Sequence, residues 1–82
     1  MKIVIVGAGA VGSYLAERFS IEGLDVVVIE SDPARAAQVQ ASLDCLVITG
    51  NGASATTLQR AGLAEADLLV AVSSSDGANV LA

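Results

Sequence analysis

Two features of the chain have the residue types and spacing to act on one ligand. The first is Gly7-Ala8-Gly9-Ala10-Val11-Gly12, which fits G-x-G-x-x-G. The second is an acidic residue, Glu30, roughly 20 residues after the last of these glycines. The glycine run follows an apolar stretch, Lys2–Val6, and opens a segment in which Val11, Tyr14, Leu15 and Phe19 recur at helical spacing. In a strand–turn–helix context each glycine has a task. Gly7 permits the tight turn, Gly9 lets the backbone approach a diphosphate, and Gly12 lets the helix sit close to the strand. The N–H groups at the helix start, with the positive end of its dipole, then face an anion. A carboxylate at the position of Glu30 accepts hydrogen bonds from an adenosine ribose and repels a 2′-phosphate. The pair predicts a site for a dinucleotide such as NAD(H), in preference to NADP(H). Replacing Glu30 with Ala is expected to weaken NADH binding with little loss of fold.

These residues need a frame, and the rest of the chain supplies one. Val26–Ile29 is a buried second strand. Ser31-Asp32-Pro33 starts a second helix, with Asp32 as N-cap and Pro33 at the first helical position. Ala36, Val39 and Leu43 form its apolar stripe. Cys45–Thr49 reads as strand three, stopped by Gly50-Asn51-Gly52. A short third helix covers about Ser54 to Ala61, with Gly62 at its C-terminal cap. Leu68–Val72 is strand four, and Ser73-Ser74-Ser75-Asp76 offers a cap for a helix beginning near Gly77.

Alternating strands and helices predict right-handed crossovers and a parallel sheet covered on both faces. The expected architecture is a Rossmann-like α/β fold with strand order 3-2-1-4. Residues 1–82 read as one nucleotide-binding domain, truncated after strand four, with that strand as an exposed edge. Ligands of open α/β sheets lie at the carboxyl ends of the strands. Asn51, Gly52 and Ser73 should therefore line the same crevice as the glycine turn, with Asn51 near the adenine and the glycines leaving room for it. An ordinary turn at Asn51, and a helix cap at Ser73, are the alternative roles.

Composition narrows the function. The chain carries four basic and nine acidic residues, a formal net charge of -5. With no basic stripe and no aromatic ladder, neither nucleic acid nor an anionic membrane surface is an expected partner. A bound anion must be held by backbone donors. Tyr14 and Phe19 are the only aromatic residues, so the core is aliphatic, and Tyr14 is expected within it. Cys45 is the sole cysteine and reads as a small core residue. No apolar stretch approaches the roughly 20 residues that span a bilayer, and the expected location is cytoplasmic.

The sequence resembles the N-terminal nucleotide-binding domain of TrkA-type potassium-uptake regulators, also called RCK or KTN domains. The resemblance rests on KIVIVGAGAVGSYLAERFS at residues 2–20, VVVIESDP at 26–33, VITGNGAS at 47–54 and ADLLVAVSSSDGANVLA at 66–82. It implies a peripheral regulator that binds NAD(H), or in related subunits ATP and ADP. It also implies dimers assembled into a ring beneath a membrane potassium-translocating subunit, with ligand gating potassium flow. Carried over by position, Gly7, Ala8, Gly9, Ala10, Val11 and Gly12 contact pyrophosphate and Glu30 the ribose. Ser31 and Asp32 flank the adenosine, Asn51 and Gly52 lie at the adenine side, and Val72 and Ser73 lie under the middle of the ligand. Ala10 stands where some ATP-responsive relatives carry an arginine, which weakens the ATP reading. The rival class is the dinucleotide-binding portion of an NAD-dependent dehydrogenase. Hydride transfer needs an acid–base group near the nicotinamide, and no histidine or lysine falls at the carboxyl end of any strand, so no enzyme activity is expected.

Overall fold

The computed structural model describes residues 1–52 and 54–72. Ser73 and the helix expected near Gly77 lie outside the described residues. Four strands form one parallel sheet: β1 (Lys2–Val6), β2 (Asp25–Glu30), β3 (Leu46–Thr49) and β4 (Leu68–Ala71). Their spatial order is β3-β2-β1-β4, as the alternating pattern predicts. Three helices connect them: α1 (Ala10–Ile21), α2 (Pro33–Ser42) and α3 (Ala55–Arg60). A 3-10 turn, Leu63–Glu65, precedes β4 and was not expected from the sequence. Among the described residues no helix is long and apolar enough to cross a membrane.

The central strands β1 and β2 are apolar on both faces because both faces are covered. Ile3 and Ile5 of β1, with Val26 and Val28 of β2, pack against Ala16 of α1 and Val39 of α2. Val4, Val27 and Ile29 point the other way, onto Leu58 of α3 and Ala61. The crossovers after β1 and β2 thus lie on one face, and the crossover that returns the chain to β4 lies on the other. The reversal falls between β1 and β4, the place in an open α/β sheet where ligands are generally bound, outside the carboxyl ends of the strands.

Helix ends follow local rules. Asp32 caps α2, its Oδ1 accepting from the Ala34 N–H at 3.0 Å. The end of α1 closes with Gly23 N–H donating to Ser20 and Leu24 N–H to Phe19, the paired bonds of a Schellman motif. Arg18 in its last turn complements the negative end of the dipole.

One expectation about α1 fails. Val11 and Tyr14 were assigned to its apolar, core-facing stripe, yet Val11 is 56% and Tyr14 60% exposed. The buried residues of α1 are Gly12 and Ala16, with Leu15 and Phe19 partly buried beside them. Small side chains bring the helix axis close to the sheet, and the larger Val11 and Tyr14 are turned outward.

Cys45 is half-buried against the α1–α2 side of the core. Burial, and secondarily the neighbouring Asp44 charge, push its thiol above the ordinary range. Its thiolate fraction at neutral pH is therefore below that of an exposed cysteine, and alkylation by iodoacetamide should be slow at pH 7 and accelerate as the pH rises. A rate at pH 7 equal to that of a free cysteine peptide contradicts this. A side chain at Gly12 would overlap the Gly7 carbonyl oxygen. Gly12→Ala is expected to destabilise the domain by about 1–3 kcal/mol, read from urea unfolding, because backbone must give way to backbone.

Candidate functional site

The glycine turn is built from backbone packed on backbone. Gly7 leaves β1 with φ of 104°, a conformation that residues with a Cβ rarely adopt. A methyl group at this position would also overlap the Val72 carbonyl oxygen. Val72 in turn donates its N–H to Val6 O at 2.9 Å, and its side chain lies under Gly12. Val72 therefore sits directly beneath the turn. The Gly7 N–H donates to Ile29 O at 2.8 Å, tying the turn to the end of β2.

Gly9 is the N-cap of α1 and supplies no side-chain cap bond. The first helical bond runs from Ser13 N–H to Gly9 O at 2.9 Å. The N–H groups of Gly9, Ala10, Val11 and Gly12 accordingly have no acceptor within the helix. No acidic residue occupies the first turn. This is the donor set an anion needs.

Glu30 is the centre of the site. It ends β2 and is only 6% exposed, so it is not a solvated strand-end residue. Its Oε1 accepts from the Ala8 N–H at 2.7 Å and its Oε2 from the Asp32 N–H at 2.9 Å. Its main-chain oxygen accepts from Gly50 N–H at 2.9 Å. One residue thus links the turns that follow β1, β2 and β3. A buried carboxylate requires such partners. The expectation that Glu30→Ala leaves the fold nearly unchanged is corrected by this arrangement, since truncation strips two backbone N–H groups of their acceptors.

The remaining positions sort by environment. Ser31 and Asp32 are exposed on the β2–α2 turn, beside Glu30. The Ala8 N–H is engaged by Glu30, so the N–H groups without an acceptor inside the helix begin at Gly9. The Gly50-Asn51-Gly52 turn reaches across to β1: a methyl at Gly52 would overlap the Val6 side chain, and one at Gly50 would crowd the Thr57 hydroxyl at 2.9 Å. These two glycines permit close packing of the turn on β1 and α3. Asn51 is exposed between them, and its carbonyl accepts from Ser54 N–H at 2.9 Å.

Sequence reasoning missed Ser13. Its hydroxyl donates to Ala8 O at 2.8 Å. The available signal was a serine in a first helical turn, a residue type that bonds to nearby backbone. A groove of about 730 Å³ between α1 and α2 also went unanticipated. Ala8, Gly9, Ala10 and Val11 border it, but Glu30, Asn51 and Gly52 do not. It adjoins the glycine turn from the helical side. Among the described residues no group of three or more His, Cys, Asp or Glu side chains could hold a metal ion.

Comparison with known proteins agrees with this geometry. The family model described as the TrkA-N domain matches residues 3–82. The chain is 39% identical over 82 residues to the Trk system potassium uptake protein TrkA of Halomonas elongata, covering all of this chain and 18% of that protein. It is 50% identical over 82 residues to a TrkA homolog 1 of Methanosarcina mazei, again over the full chain and 18% of that protein. A TrkA homolog of Methanothermobacter thermautotrophicus is 42% identical over 81 residues, 99% of this chain and 38% of that protein. The chain thus spans well under half the length of these relatives. With a 3-2-1-4 parallel sheet and a glycine turn at its switch point, it belongs to the TrkA-N domain family.

Proposed function

We propose that this chain is the NAD(H)-binding regulatory domain of a potassium-uptake system, and that nucleotide occupancy gates potassium transport through a membrane subunit. One observation carries the reading: the buried Glu30 carboxylate lies a single hydrogen bond from Ala8, next to the unpaired N–H groups that open α1. A ribose acceptor therefore stands beside donors for a diphosphate, the order in which these groups follow one another in the ADP half of a dinucleotide. Each Glu30 oxygen accepts one N–H and keeps a lone pair for a ribose hydroxyl. ATP and ADP share that half, but Ala10 offers no cation to terminal phosphates.

The names of the relatives support potassium uptake as the setting. Bound NAD(H) supplies preferential affinity for one arrangement of the assembly, and only such a difference shifts an equilibrium. Couplings of this kind are typically about 1–3 kcal/mol. The partners are a membrane potassium-translocating subunit at the cytoplasmic face and further copies of the domain, paired and assembled into a ring. A sensor is favoured over an enzyme because the candidate acid–base groups stand elsewhere. Lys2 begins β1 at the opposite edge of the sheet, beside Gly62 and Asp67, and Tyr14 faces the α1–α2 groove.

Two variants test the site by calorimetric titration with NADH. Gly9→Val places a branched side chain where the diphosphate meets the helix, and is expected to weaken binding by about tenfold or more. Wild-type affinity in that variant rules out the phosphate site. Glu30→Gln removes the charge and turns one acceptor into a donor that faces a backbone N–H. It is expected to lower NADH affinity about tenfold, to narrow the preference over NADPH, and to reduce stability to urea by about 1–3 kcal/mol. Unchanged NADH affinity removes Glu30 from the ribose contact.

A further inference from the structure

We propose that Ser13 is a positioning residue for the diphosphate: its hydroxyl holds the Ala8 carbonyl and thereby aims the Gly9 N–H at the ligand. The inference rests on the nucleotide reading above. It begins with how Ala8 is held. The Ala8 N–H is fixed by Glu30 Oε1 at 2.7 Å and the Ala8 carbonyl by the Ser13 hydroxyl at 2.8 Å. Both peptide planes that flank Ala8 are therefore clamped from outside the turn.

Planarity converts each clamp into an orientation. The described peptide bonds are all trans, so the C=O and N–H of one peptide point in opposite directions. In the Gly7–Ala8 peptide the N–H goes to Glu30, and the Gly7 oxygen points the other way, against Gly12. In the Ala8–Gly9 peptide the carbonyl goes to Ser13, so the Gly9 N–H points away from Ser13. Ser13 borders the α1–α2 groove. The Gly9 donor is thus turned away from the Ser13 hydroxyl and toward the free end of α1.

A serine or aspartate N-cap would also order this turn, but its side chain would occupy the N–H groups that an anion needs. Gly9 leaves them open and contributes no cap bond. Ser13 takes over the ordering from behind, one helical turn along. Its single hydroxyl proton is engaged by Ala8, so it orients a donor to the ligand and donates nothing to the ligand itself.

The test compares ADP with adenosine, by NMR titration of the wild-type chain and of Ser13→Ala and Ser13→Thr. In Ser13→Ala the affinity for ADP should fall about tenfold, the loss expected from one misdirected charge-assisted hydrogen bond. The affinity for adenosine, which has no phosphate, should hold. The Gly9 amide resonance should shift in the free protein. Ser13→Thr keeps the hydroxyl and should bind ADP as the wild type does. Equal ADP affinity in Ser13→Ala overturns the inference, as does a parallel loss for ADP and adenosine, which marks a merely structural role. A loss in Ser13→Thr matching that in Ser13→Ala also overturns it. Failure of the wild-type chain to bind either probe overturns the nucleotide reading itself, and the inference falls with it.

Discussion

A buried carboxylate sets the geometry on which the rest of the molecule depends. Glu30 takes one backbone N–H from the turn after β1 and another from the turn after β2, while its own main-chain oxygen receives the turn after β3. An ionised group that is largely removed from water is tolerated only when its oxygens are satisfied. The loops that would face a ligand are therefore held at fixed separations before any ligand arrives. Pre-ordering of this kind lowers the entropy lost on binding. The residue thus contributes to stability, and with the recognition role proposed for it the two contributions separate only when affinity and unfolding are measured together.

The second constraint is close approach. Val72, Gly7 and Gly12 bring strand, turn and helix together with little between them but backbone. Ala16 continues the same small-residue face along α1. The helix can then sit low on the sheet with its N-terminal N–H groups near the strand ends. The same placement turns Val11 and Tyr14 outward and leaves the groove beside α2. Packing of the helix and presentation of its donors are one geometric decision.

Electrostatics follows from these positions rather than from composition. A chain with net charge -5 offers no general attraction to an anion. Aligned peptide dipoles at the start of α1 give a local positive end, effective only within the first turn. Because those donors belong to the backbone, they would hold an anion without a flexible side chain having to be ordered.

By itself the sequence determined the frame. Strand and helix periodicities differ, so the apolar runs and the glycine stops were enough to locate β1 at Lys2–Val6 and α1 at Ala10–Ile21, and their alternation implied the strand order. The capping role of Asp32 was equally legible, because a cap depends on neighbours two residues away. Only the tertiary structure decided where the Glu30 carboxylate points, since its partner at Ala8 is 22 residues distant along the chain. It also decided that Gly50 and Gly52 serve packing against Thr57 and Val6. Tyr14 shows the same limit: helical spacing says which residues share a face, but the depth at which that face meets the sheet is set by the other elements packed on it.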